Sequence, residues 1–189
     1  DVYKRQDYDD FIETKVRLGP DPASGRILFQ SQNIRRAVIE GVEAGWSLSA
    51  DRLLEGLVFD GSVYWAQGEN RDSAEALNSV GPAQAVAGLS YTTLDGDWNS
   101  RLRGRFTEGW SERDESGGEL FKPPGYAVFD LFVTRRFSDR VSGRVAVLNL
   151  TDREYWAWSD VRGLAPNDPV IPYLSRPGIS LTVGMDIYW

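Results

Sequence analysis

The chain has no cysteine and no histidine. Without cysteine there is no disulfide framework and no thiolate chemistry. Without histidine the commonest metal ligand, the Ser-His-Asp triad and the usual haem axial ligand are all missing. Nowhere does an apolar run reach the roughly 18 residues that a transmembrane helix needs. Asp1–Gln6 lacks the apolar stretch of a secretory leader. Those six residues, DVYKRQ, read as a non-native addition, so residues 1–6 are given no structural weight and residues 7–189 are taken as one segment. An exported protein would then have its N-terminal part upstream. The net charge of −7 and a pI near 4.7 argue against a nucleic-acid partner. No phosphate loop, metal cluster or nucleophile elbow occurs. The pairs Asp9/Asp10 and Asp95/Asp97 read as turn or surface carboxylates, and only Asp160 with Gly163, or Asn167-Asp168, offers even a weak loop-cation site. No catalytic residue and no metal site is expected.

What the chain does have is aromatics: seven Trp, eight Tyr and eight Phe. It also has strict alternation. In Ile179–Trp189, ISLTVGMDIYW, every odd position is large and apolar, and the even positions are Ser180, Thr182, Gly184, Asp186 and Tyr188. Period two is the mark of a strand with unlike faces. The length matches the roughly 9–11 residues of a tilted transmembrane strand. A mean hydropathy of −0.39 is compatible with a membrane barrel, whose strands are greasy on one side only and whose loops are polar. The same stretch would also suit the last strand of a soluble sandwich.

Seven further strands are expected, at Tyr8–Arg17, Ile27–Ser49, Leu57–Gly68, Ala83–Thr93, Trp98–Gly109, Tyr126–Phe137 and Val141–Leu150. The second is expected to bend near Arg35–Arg36. In the fifth, Trp98, Leu102 and Phe106 alternate with Arg101, Arg103 and Arg105. The connections after the second, fourth and sixth strands are short. Those after the first, third, fifth and seventh are long, ending with Thr151–Pro177. Short and long alternate, as in an up-and-down meander with its long tips on one rim. A Greek-key sandwich has no reason to sort its loops this way. The fold class is therefore all-β: an antiparallel meander of about eight strands.

Three motifs resemble a known family. Asn33 to Glu43, NIRRAVIEGVE, resembles the N-x-x-x-A-x-I-x-G-x-E stretch of TonB-dependent outer-membrane receptor barrels. Asn149 to Trp156, NLTDREYW, resembles their N-L-F-D-x-x-Y segment. Arg176-Pro177-Gly178 before an alternating strand ending in an aromatic resembles their last strand. Two departures are Thr151 in place of the usual Phe, and a terminal Trp where Phe is commoner. The segment from Tyr155 to Leu164 looks most like the haem and haemoglobin receptor branch.

The resemblance implies a receptor of about 22 strands around a plug, sited in the bacterial outer membrane and energised through TonB. This chain would be an incomplete arc of that barrel, with the plug, the TonB box, the earlier strands and the family's haem-ligating His loop lying elsewhere. It binds no cofactor itself; haem or a ferric siderophore would be the transported ligand. Implied partners are outer-membrane lipid, the TonB complex through the plug, the barrel-assembly machinery, and a haem protein or siderophore. Rival readings are a complete eight-stranded anchor or adhesion barrel and a soluble carbohydrate-binding sandwich. Against the first, a closed eight-stranded barrel is filled by side chains, whereas Ser62, Gly88, Ser90, Ser142 and Gly184 are small.

Candidate ligand contacts are Trp156, Trp158, Asp160 and Arg162, since aromatics with Arg make good hot spots; the alternative is a packed loop with its Trp pair at the membrane interface. Arg101, Arg103, Arg105, Arg144, Asp130 and Glu43 are expected to line the lumen. There the arginines either guide an anionic ligand or are neutralised by carboxylates such as Glu43, Asp60 or Asp130. Gly41 and Glu43 are expected to serve packing at the wall. Trp189 is the expected C-terminal assembly signal.

Overall fold

The computed structural model describes residues 2–109 and 114–189. They form one antiparallel sheet whose strands follow one another in chain order. The strands are β1 (Val2–Pro20), β2 (Ile27–Ser49), β3 (Leu57–Asn70), β4 (Glu75–Ala76), β5 (Gln84–Thr92), β6 (Trp98–Thr107), β7 (Tyr126–Ser138), β8 (Val141–Leu148) and β9 (Ser180–Ile187). β4 lies off the main path and only clips the end of β3. A four-residue helix α1 (Trp158–Val161) and a 3-10 turn (Ile171–Leu174) interrupt the connection before β9.

The registers set the alternating rows side by side. One row reads Val63, Ala85, Phe106, Ala127 across β3, β5, β6 and β7. The next is smaller, Gly61, Ala87, Gly104, Phe129, and the one after it reads Phe59, Leu89, Leu102, Leu131, Val147, Leu181 through to β9. Among the described residues no second layer covers these side chains. Leu181 and Val183 are 67% and 69% exposed, and Phe59, Leu102 and Phe106 are exposed as well. An apolar face this broad left bare is not how a water-soluble domain is built. At the lower rim the Arg135 guanidinium lies 4.7 Å from the Trp98 ring centre and 5.1 Å from that of Phe137. That suits an interface where a cation snorkels beside aromatics.

Two sequence expectations shift. β1 reaches Pro20, paired with Ile27, and starts at Val2, paired with Glu43. The first connection is therefore only residues 21–26, no longer than the lower turn at 50–56: the expected long loop is replaced by a tall hairpin. Val2–Gln6, given no weight from sequence, hydrogen-bond along β2; Asp1 lies outside the described residues. The β1–β2 register runs unshifted past Arg35–Arg36, and its shifts fall between Glu13 and Val16 and between Arg17 and Gly19. Ile34 and Ile39 pack against the buried cluster of Ala37, Leu77 and Val80.

The lower turns are tied by carboxylates. Asp95 accepts from the Thr93 hydroxyl and the Asp97 amide, with Gly96 at φ 72° between them. Asp51 accepts from the Ser49 hydroxyl and the Gly56 amide. These hydrogen bonds, the hydroxyl first, hold both carboxyls below their ordinary pKa.

Candidate functional site

The face opposite the apolar rows is polar and carries the ion pairs. Arg101 Nη2 meets Asp60 Oδ2 at 2.6 Å, although β5 runs between their strands. The bridge passes over Gly88, where a Cβ would stand 2.7 Å from Asp60 and 2.9 Å from Arg101. Arg103 Nη2 donates to Asp130 Oδ2 at 2.8 Å, and Arg105 Nε lies 3.8 Å from the same oxygen. Asp130 is 1% exposed and also accepts the Asn149 amide at 3.0 Å. Arg105 reaches the Tyr155 hydroxyl at 3.4 Å, and the Tyr155 and Tyr126 rings stand 4.4 Å apart. Arg144 pairs with Asp186 at 3.4 Å.

Above this face the long connections fold inward and roof the upper halves of β1 and β2. Leu77, Val80, Leu120, Val161 and Ile171 are buried there. Glu13 of β1, 5% exposed, accepts the Ser79 hydroxyl at 2.7 Å. Arg162, from the connection before β9, donates to Thr14 Oγ1 at 2.8 Å and lies 3.8 Å from Glu13. Arg17 donates to the Glu119 carbonyl at 2.8 Å, and the Trp158 indole to the Asn78 carbonyl at 3.0 Å. Residues 110–113, at the start of the loop expected from Trp110, lie outside the described residues.

The connection before β9 is closed at its neck by its own motif. Asn149 sits at φ 52°, a left-handed conformation that Asn tolerates. Its amide group donates to the carbonyls of Arg153 (2.9 Å) and Pro177 (3.2 Å), and its Oδ1 accepts the Arg153 amide. Asp152 Oδ1 accepts the Ile179 amide at 2.8 Å. The first and last residues of the connection are thus clasped together by two side chains.

Residues 1–150 match the family model described as TonB dependent receptor-like, beta-barrel. The chain belongs to that family. It is 25% identical over 151 residues to a haemoglobin-haptoglobin utilization protein B of Neisseria meningitidis, covering 72% of this chain and 19% of that protein. So it spans about a fifth of the length of the curated relatives it matches. Among solved structures, the copper transporter OprC superposes with a TM-score of 0.78 at 23% identity, over 98% of this chain and 28% of that one. The ferric enterobactin receptor PfeA of Pseudomonas aeruginosa, as its G324V mutant, superposes with a TM-score of 0.68 at 20% identity, again over 98% of this chain and 28% of that one. The meander is thus an open arc of a receptor barrel. Among the described residues β1 and β9 each keep one unpaired edge, and they form neither a closed eight-stranded barrel nor a two-layer sandwich.

The four expected ligand contacts separate into two pairs. Trp158 and Arg162 both line a cavity of about 280 Å³ on the polar face, with Gln84, Thr107 and Tyr126. Trp156 and Asp160 face elsewhere. The Trp156 indole donates to the Ile171 carbonyl at 2.8 Å and its ring meets Phe121 edge-on, while Asp160 pairs with Arg176 at 2.8 Å. All four make hydrogen bonds or ion pairs that tie the connection down. The six polar-face residues all lie opposite the apolar rows. Asp60 and Asp130 neutralise the Arg row, but Glu43 does not: it lies 4.0 Å from Lys4. Gly41 fits a wall position, since a Cβ there would meet the Trp65 carbonyl at 2.5 Å. Trp189 is fully exposed beyond β9. Nothing in the sequence pattern marks Glu13 or Ser79, whose pairing joins positions 66 residues apart. The clasp side chains Asn149 and Asp152 both lie within the NLTDREYW motif.

Proposed function

We propose that this chain supplies wall and outer loops to a receptor that moves an iron-bearing ligand, haem or a haem protein, through the bacterial outer membrane with energy delivered by TonB. The observation that carries this is the division of the sheet: one face is apolar and bare, the other charged and roofed by long loops. The first face suits lipid and the second a water-filled passage. The name of the haemoglobin-haptoglobin relative supports haem as the ligand. The role is transport rather than catalysis, and the chain holds no cofactor of its own. In this reading the Trp158–Arg162 cavity faces incoming ligand and the paired Arg row faces the plug. Trp189 is the mark by which the assembly machinery takes up the last strand. A ferric siderophore is the second reading, favoured by the solved ferric enterobactin receptor of the same fold.

The test is growth of an iron-starved host that lacks its own receptors and carries the full-length receptor containing this chain. Growth on haemoglobin that needs an intact TonB supports haem uptake. Growth on ferric siderophore alone selects the second reading, and growth on neither overturns both.

A further inference from the structure

The connection before β9 holds a stretch unlike the other outer connections. Residues 108–125 carry seven charged side chains, whereas residues 163–175, GLAPNDPVIPYLS, carry one, Asp168, among three prolines. Even that carboxylate is turned to the backbone: Asp168 Oδ1 accepts the Val170 amide at 3.0 Å. Loss of charge around an aromatic is the composition that marks the centre of a protein–protein interface.

The stretch is held stiffly. Ile171 is buried, and its carbonyl accepts the Trp156 indole N–H at 2.8 Å. The Ile171 and Tyr173 amides donate to the carbonyls of Asp168 (3.1 Å) and Val170 (2.9 Å), and the Ser175 hydroxyl donates to that of Pro172 at 3.1 Å. Pro166, Pro169 and Pro172 fix φ at three points. On either side of Ile171 the chain is bare: Pro169, Val170, Pro172 and Tyr173 are all exposed. Tyr173 is 85% exposed, more than any other aromatic among the described residues except the terminal Trp189. A side chain so bare is a knob and not the wall of a cleft. Small ligands are taken in concave pockets. A rigid, protruding aromatic on an uncharged base suits a folded protein, because little freedom is lost when it docks.

We propose that residues 169–173 are a contact surface for the protein that carries the haem, with Tyr173 seated in an apolar pocket of that partner. This rests on the haem-protein reading given above, and adds the place where the protein, rather than its haem, is held. The stretch stands on the long-loop rim, the side from which such a partner arrives.

The test uses the full-length receptor containing this chain, with haemoglobin as the probe. Tyr173→Ala should weaken haemoglobin binding about tenfold by surface plasmon resonance, chiefly through faster dissociation. Tyr173→Phe should keep most of the affinity, and Leu94→Ala, exposed on the opposite rim, all of it. Growth on free haem should not change, because the surface touches only the protein. On intact cells Tyr173→Cys should react with a membrane-impermeant maleimide, and haemoglobin should shield it. If the parent binds haemoglobin and Tyr173→Ala binds it equally well, the surface alone is overturned. The same follows if Tyr173→Cys stays unlabelled without haemoglobin, since another part of the receptor then covers the position. Loss of growth on free haem would assign the side chain to haem itself, and lost self-association with haemoglobin binding kept would give the face to a second copy; either overturns the proposal. A parent that binds no haemoglobin overturns the haem-protein reading and the surface with it.

Discussion

Asp130 carries two guanidiniums and a backbone amide on one carboxylate, almost wholly out of solvent. Asp130→Ala leaves Arg103 and Arg105 charged without a counterion and orphans the Asn149 N–H. Breaking a buried pair from one side costs about 3–5 kcal/mol; because both arginines are partly exposed, about 3 kcal/mol is expected, read as a shift in the urea midpoint of the receptor in detergent. Asp130→Asn, which keeps an acceptor for the amide, should lose less. The choice of partners shows what a sequence holds at this scale. Alternation alone put Arg101, Arg103 and Arg105 on one face with Asp60, Asp130 and Glu43. It could not say which of them meet. Glu43 lies opposite Tyr64 and Val2, out of reach of β6, whereas Arg101 reaches Asp60 because the residue between them is Gly88. Contacts that cross a strand depend on register and on what the intervening side chain leaves open, and neither is written in period two.

At the scale of elements, the strands were legible because each presents an apolar side chain to one face and a polar or small one to the other, and so alternates. β2 runs from Ile27 to Ser49 as expected, and the other bounds moved by a few residues, apart from the first strand. The loops were not legible in the same way: their structure comes from partners far off in the chain. β4 exists only because Glu75–Ala76 meets the overhang of β3, and the inward fold of the 151–177 connection depends on Glu13 and Thr14. Asn149 makes the point testable. Asn149→Ala loses three side-chain hydrogen bonds and a side chain that tolerates positive φ. A local loss of about 2–3 kcal/mol follows, seen as faster protease nicking between Thr151 and Pro177 while β5 to β7 keep their hydrogen-exchange protection. The lower turns give a pH signature. The Asp95 carboxyl is depressed, so its contribution is fully present above the ordinary carboxylate pKa and is lost as pH falls through its own lower value. Asp95→Ala should therefore unfold earlier than the parent at pH 7, and the gap should close in acid, as followed by tryptophan fluorescence during acid titration.

For the whole molecule, the decisive feature is a sheet with two free edges and one bare apolar face. Unpaired edges template further pairing, and the β9 edge carries Leu181, Val183, Met185 and Ile187, all well exposed. This chain, purified by itself in buffer, is expected to associate, and light scattering should report species well above its 21.2 kDa. A sharp monomer peak without detergent would count against the membrane reading of the apolar rows. The order of the strands and the side each row faces can be read from period two and turn residues; the roof cannot, because it needs residues from three separate connections at once.

The Arg162–Thr14 hydrogen bond joins positions 148 residues apart. It has a kinetic consequence. The upper half of the β1–β2 hairpin cannot reach its final packing until residue 162 has been delivered, and such distant closure is slow. Until then Glu13 has the Ser79 hydroxyl but no guanidinium beside it.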